Sequence, residues 1–428
     1  YFFMLFSNCS ILRPNGEILE NAYLQVTDDK ITYIGTKKPT RHTGAIYDYT
    51  NKLLLPGFVN THCHVPMTLL RSIGADLPLD RWLSEKIFPL EDKLNKDWAF
   101  SGTLLGIAEM LRSGVTSFSD MYFFGESRAN AVLETGINAN LSMGILCLDD
   151  SPFEKAPMVQ ENKDLFQAYH NANSGQLKVD IGLHAEYTSN PTIAKAAGEY
   201  AKEIGANMHI HIAETKKETD ECIARHGKTP VAYFNDLGLF DNHVTAAHCV
   251  WLTPEDRQIL ADKKVFVSHS PISNLKLGSG LADMTALLEK GINISIGTDG
   301  VASNDNLNFL EDMKLTALLQ KGIHHNPALF SAETVLKMAS YNGALSQNRL
   351  QTGALKLGNQ ADIIAIDYHS INLLPCIDVI SSLVYATLPS DIKMTMVNGK
   401  ILYENGQFHT IDIEKVMYEV SRIGKKLY

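Results

Sequence analysis

Cysteine is scarce: six residues in 428 (Cys9, Cys63, Cys147, Cys222, Cys249 and Cys376), scattered and with no Cys-X-X-Cys pair. That excludes a disulfide framework and a thiolate zinc knuckle, and it fits a reducing, cytoplasmic compartment. No apolar run approaches the roughly 18–20 residues of a membrane helix. The apolar opening, residues 1–6, is too short for a secretion signal and has no positive charge before it. Basic charge is also short, with 38 Lys and Arg against 48 Asp and Glu and a formal net charge of −10. Nucleic acid and anionic membranes are therefore not expected partners. Low-complexity stretches and short-period repeats are absent. What is left is an ordinary globular composition, 45% hydrophobic and 20% charged. The length allows one large domain and a smaller companion.

The first 55 residues read as short strands (5–12, 22–26, 30–34 and 52–55) separated by Pro14-Asn15-Gly16 and Asp28-Asp29. From Pro56-Gly57 the rhythm changes. Eight short apolar or β-branched runs, at 57–60, 114–119, 138–145, 178–183, 207–212, 243–247, 264–267 and 292–297, alternate with helical spacing such as 97–112, 192–204, 254–263 and 284–290. Gly114, Gly136, Gly205 and Gly291 stand where helices end. This alternation predicts an α/β fold, a (β/α)8 TIM-like barrel over residues 57–350. After it, strands return at 353–357, 362–366, 394–397 and 400–403, with hairpin signals at Asn398-Gly399 and Asn405-Gly406. Residues 1–56 together with 351–428 are expected to form one small β-sandwich domain, closed by an amphipathic helix over 411–428.

Chemistry-bearing residues gather at the ends of the predicted strands, the rim where barrel enzymes keep their active sites. His62-Cys63-His64 ends the first; at a period of two, both imidazoles share one face and can reach a common ion. Two hydrogen-bonded structural histidines would give the same pattern. In His209-Ile210-His211-Ile212-Ala213-Glu214 strand alternation cannot choose between the histidines. His211 lies nearer the rim and three residues before a carboxylate, so it is the expected ligand, Glu214 the acid/base and His209 a packing residue. His248 follows another apolar strand and could equally be a satisfied core histidine. Asp299 ends the strand Ile296-Gly297-Thr298 and could instead cap a turn. The conjunction of these residues on one rim favours a metal site of His62, His64, His211 and Asp299. Mixed imidazole and carboxylate donors suit Zn2+, with Fe2+ or Mn2+ as alternatives.

The run Pro56-Gly57-Phe58-Val59-Asn60-Thr61-His62-Cys63-His64, with His211, His248 and Thr298-Asp299 behind it, resembles the amidohydrolase superfamily over essentially the whole chain. Met67–Arg71, Leu77–Leu83, Asn274–Gly278 and Gly297–Asn304 are similar to the 5′-methylthioadenosine/S-adenosylhomocysteine deaminases, alongside chlorohydrolase-type triazine enzymes and guanine and 8-oxoguanine deaminases. The resemblance implies one zinc on His62, His64, His211 and Asp299. Binuclear relatives carry a carboxylated lysine at the end of strand four, where this chain has His184. It further implies that His184 contacts the purine or ribose, that Glu91 bonds the ribose hydroxyls, and that the protein is a homo-oligomer.

The implied reaction is hydrolytic deamination of an adenosine-type nucleoside. Asp299 would take a proton from water, His248 would orient that water, and Glu214 would protonate the ring and contact the substrate. One departure stands out. Members acting on S-adenosylhomocysteine place arginines after strand three, where this chain has Met143 and only Lys155 nearby. A guanidinium is hard to replace for a carboxylate, so neutral 5′-substituents are favoured. The rival readings are a hydrolase of guanine, 8-oxoguanine or an s-triazine, and a catalytically silent nucleoside binder.

Overall fold

The computed structural model describes residues 2–428, so Tyr1, the first residue of the apolar opening, lies outside the described residues. All eight expected central runs are parallel strands: Phe58–Cys63, Val115–Met121, Asn138–Ser142, a fourth interrupted at Asp180 (Leu177–Val179 and Ile181–Leu183), Met208–Ile212, Val244–His248, Phe266–His269 and Ile294–Ile296. They form two parallel sheets, in sequence order, that meet at the two halves of the fourth strand. Nearly every residue of these strands is buried on both faces, which is why they read as continuous apolar runs.

Between them lie helices with the expected boundaries. Pro191–Ile204 starts at Asn190, whose side chain accepts from the Ile193 N–H, and stops at Gly205 with φ +66°. Pro254–Asp262 starts with a reciprocal capping box between Thr253 and Asp256.

The chain ends build a nine-stranded sheet. Lys52–Pro56 is its hinge, pairing parallel with Phe3–Leu12 on one side and antiparallel with Ile363–Asp367 on the other. Ile392–Val397, Lys400–Glu404 and Gln407–Phe408 continue it through turns at Asn398-Gly399 and Asn405-Gly406, all four residues at positive φ. A core of Phe6, Ile11, Leu24, Ile31, Leu54, Ile363 and Met396 belongs to this sheet.

Two expectations differ. Residues 353–357 are turns rather than a strand, because Gly353 (φ +81°) and Gly358 (φ +83°) break extension on both sides. Ala45–Asp48 is an additional strand, short and largely exposed, paired with Phe3–Leu12. The closing helix, Ile413–Leu427, packs across the helix Lys96–Arg112, and Tyr428 Oη donates to the Leu69 carbonyl at 3.1 Å. No described helix is long and apolar enough to cross a membrane.

Candidate active site

A cavity opens where the parallel strands end, walled by His64, His184, His211, Glu214, His248 and Asp299 on its inner side and by Glu91, Tyr122, Trp82 and Phe88 further out. Three imidazoles are each fixed through Nδ1. His64 Nδ1 donates to the Met121 carbonyl at 2.5 Å and His211 Nδ1 to the His184 carbonyl at 2.6 Å. A carbonyl only accepts, so Nδ1 carries the proton of each bond and the Nε2 atoms of both rings are turned inward, that of His64 toward Asp299. His62 Nδ1 shares a 2.8 Å hydrogen bond with His209 Nε2, the two rings lying parallel.

The inward atoms converge. Asp299 Oδ1 lies 3.3 Å from His62 Nε2 and 3.1 Å from His64 Nε2, while the Nε2 atoms of His211 and His64 are 3.4 Å apart. The donor atoms of His62, His64 and Asp299, and those of His62, His211 and His248, lie within 4.8 Å of one another in each set. Asp299 is itself oriented: the Gly300 N–H donates to Oδ1 at 2.8 Å and Ser273 Oγ to Oδ2 at 2.6 Å. It does not cap the following helix, whose N-cap is Gly300 with no side-chain cap bond, so its carboxylate stands among the candidate ligands instead.

His248 Nδ1 bonds Asn274 Oδ1 at 2.8 Å, and its Nε2 is 3.6 Å from Glu214 Oε2 and 3.7 Å from Asp299 Oδ2. Burial holds His62 down to about 4 and His211 well below the usual histidine range, so both rings are neutral. Burial also disfavours the charge on His64, but its contacts with Asp299 and the Met121 carbonyl outweigh it and raise that ring to about 9. Burial pushes the Glu214 carboxyl above its ordinary range. For Asp299 burial pulls the same way, yet His62 and His64 beside it hold its carboxyl well below normal.

The backbone here is strained. Ala213 (φ +52°), His248 (φ +77°), Cys249 (φ +48°) and Asp299 (φ +61°) are non-glycine residues in the left-handed region at or just past strand ends, and His248 and Asp299 line the cavity.

On the outer side, Tyr122 Oη donates to Glu91 Oε1 at 2.7 Å, and burial pushes the Glu91 carboxyl up to about 7 despite that bond. His184 Nδ1 meets Thr188 Oγ1 at 2.9 Å, and burial lowers the ring to about 3. Met143 does not face the inner cavity. It is buried, with Arg128 Nη2 3.4 Å from its sulfur, so a guanidinium introduced at 143 would abut another one. Lys155 is exposed and absent from the cavity wall.

Several participants were not anticipated. His209 is no mere packing residue; it bonds His62. The Asp120–Arg128 pair, fully buried at 3.0 Å, ties down the loop that offers the Met121 carbonyl to His64 and the Tyr122 hydroxyl to Glu91. Asn274 lies in a motif already singled out, but Tyr122 and Arg128 carry no local signal of their own. His269 is buried with neither ring nitrogen hydrogen-bonded among the described residues, and it does not reach the cavity wall.

Residues 53–402 match the family model described as the amidohydrolase family. The chain is 40% identical over 428 residues to the 5-methylthioadenosine/S-adenosylhomocysteine deaminase of Thermoanaerobacter pseudethanolicus, covering 99% of each chain. It is 41% identical over 415 residues to the 5′-deoxyadenosine deaminase of Methanosarcina mazei, covering 97% of this chain and 95% of that one. Among solved structures, the zinc-bound adenosine deaminase of Xanthomonas campestris superposes with a TM-score of 0.93 at 28% identity, covering 99% of this chain and 98% of that one.

Proposed function

The chain belongs to the amidohydrolase family, and from that premise we propose that it is a metal-dependent hydrolase converting adenosine-type nucleosides and water into the inosine analogue and ammonia. The observation that carries this reading is the convergence of His62, His64, His211 and Asp299 with Glu214 and His248 beside them. The donor set fits a divalent cation: His64 and His211 have their Nδ1 atoms occupied by carbonyls, and His62 Nε2 is buried without a hydrogen-bond partner among the described residues. Mixed nitrogen and oxygen donors favour zinc, with Fe2+ or Mn2+ as alternatives. A bound cation of this kind lowers the pKa of water toward about 7.

The chain's own residues supply the rest. Asp299 accepts a proton from the attacking water, and His248, fixed by Asn274, orients that water. Attack at C6 of the purine places negative charge on the ring. Glu214, whose carboxyl burial shifts toward the protonated form, delivers a proton to N1. Return of the proton held by Asp299 to the amino group lets ammonia leave, and the C6 hydroxyl gives its proton to the Glu214 carboxylate as the carbonyl forms, so both acids end as they began. Glu91, with Tyr122 donating to one oxygen, has the other free for ribose hydroxyls, and His184 flanks the base.

The relatives named for 5-methylthioadenosine/S-adenosylhomocysteine and 5′-deoxyadenosine support the substrate class. Within it we favour neutral 5′-substituents, because no arginine is among the residues lining the cavity. We also read the two parallel sheets as one closed (β/α)8 barrel over 57–350. The Asp299 N–H donating to the His62 carbonyl at 2.8 Å, from the eighth strand end to the first, supports closure. Residues 1–56 and 351–428 then form the β-sandwich companion.

Ammonia release from adenosine, 5′-deoxyadenosine, methylthioadenosine and S-adenosylhomocysteine, set against free adenine and guanine, tests the proposal. Silence on every nucleoside in a zinc-replete sample would sink it.

A further inference from the structure

Glu214 leaves the fifth parallel strand through a turn that should not form easily. Ala213, just before it, is fully buried at φ +52°, a conformation costly to any residue with a Cβ. After the turn, Thr215 caps the helix Lys216–His226, its side chain accepting from the Glu218 N–H at 3.1 Å. Thr-X-X-Glu is the sequence of a capping box, in which the glutamate side chain reaches back to the amide of the cap residue. Here it reaches further. Glu218 Oε2 accepts from the Ala213 N–H at 2.5 Å and Oε1 from the Glu214 N–H at 3.2 Å, and Glu218 is only 4% exposed. The other face of the turn is pinned as well, the Ala213 carbonyl accepting from the Val250 and Trp251 N–H groups at 3.0 Å each. At the far end of the helix, Arg225 and His226 both grip buried Glu186, so the element carrying Glu218 is tied at each end.

We propose that Glu218 is a positioning residue for Glu214: its carboxylate, diverted from an ordinary helix cap, holds the two amides of the left-handed turn and so fixes the direction in which Glu214 enters the cavity. This rests on the reading of Glu214 as the group that protonates the ring. A proton donor misplaced by about 1 Å can cost on the order of 100-fold in rate, whereas His62, His64 and Asp299 stand on other strand ends, and His211, on the strand before the turn, has its ring held by the His184 carbonyl.

The test is steady-state kinetics and metal analysis on Glu218→Gln, with Ala213→Gly as a second site. Glutamine keeps one acceptor but turns a donor toward the other amide. We expect kcat to fall about 10- to 100-fold, with metal content unchanged and KM within about threefold. Glycine at 213 removes the conformational cost, so Ala213→Gly should restore most of kcat in the double variant while leaving the otherwise native enzyme unaffected. If Glu218→Gln does not fold, Glu218→Asp, which keeps a carboxyl group but falls short of the amides, is expected to give the same kcat loss and the same rescue. A kcat within twofold of the native enzyme, or a loss that glycine does not repair, overturns the proposal. Glu214→Gln run alongside separates the two readings: if it stays active, the acid assignment has failed, and if it is inactive while Glu218→Gln is not, only the positioning role has.

Discussion

From Leu79 to Glu91, along the outer wall of the cavity, only Trp82 and Ile87 are buried, while every residue of Met208–Ile212 and Val244–His248 on the inner wall is. The inner groups leave the ends of strands hydrogen-bonded on both sides, and each imidazole is fixed by a second atom. The outer wall is a succession of short helical turns, Leu79–Arg81, Trp82–Ile87 and Phe88–Glu91, held by two apolar anchors, the Tyr122–Glu91 bond, the Trp82 Nε1 bond to the Ile73 carbonyl and the exposed Asp80–Lys217 ion pair. The contrast suggests a division of labour. The reaction is lodged where geometry is over-determined, and the choice of nucleoside where side chains can change without unsettling the scaffold.

The sharpest way to break that division is at Asp299. Asp299→Asn should lose metal and drop ammonia release by more than about 1,000-fold, seen by metal analysis and steady-state kinetics. Glu214→Gln should cost about 100- to 10,000-fold in kcat with metal content intact; an active variant would remove it from the mechanism. Asp120→Asn probes the joint between the two walls. It leaves the fully buried Arg128 uncompensated, so denaturant unfolding should report a loss of about 3–5 kcal/mol.

On the outer wall the effects shrink. Glu91→Gln should lower kcat/KM for nucleosides about tenfold and leave any turnover of free base untouched. Its pH dependence gives a finer reading. The folded-state carboxyl sits at about 7, above the usual value of 4.5, so the protonated form is favoured by folding. The stability it contributes is present below about 4.5 and lost as pH rises through 7. Wild type should therefore lose melting temperature relative to Glu91→Gln between pH 5 and 8. Over the same interval nucleoside affinity should rise as the carboxylate forms, and a flat profile would place Glu91 away from the ribose.

Much of the inner wall was legible in the sequence because each candidate ligand stands at or just after the end of an apolar strand, and strand ends are visible as pattern. His62, His64, His211, His248 and Asp299 meet in the structure although their motifs are far apart, since parallel strands bring successive ends to one rim. What a period of two cannot convey is depth. His209 and His211 share a face, and only the fold reveals that the deeper ring meets His62 Nδ1. Tyr122 and Arg128 were invisible for a related reason: their partners Glu91 and Asp120 become neighbours through a loop with no periodicity. Glu218 was not singled out in the sequence: Thr-X-X-Glu there reads only as a helix cap, and its longer reach depends on the turn at Ala213. At 353–357 apolar content suggested extension, and two glycines at positive φ decided otherwise.

The pairing of Lys52–Pro56 with Ile363–Asp367 also bears on how the chain is made. Lys52–Pro56 leaves the ribosome before the parallel-strand region, and its second neighbour only after that region has been synthesised. For most of translation that apolar strand shows an open edge, a template for pairing with other nascent chains. Its partner's late arrival makes the sheet a timekeeper of synthesis, and chains stalled before residue 363 are the ones that quality control has most reason to intercept.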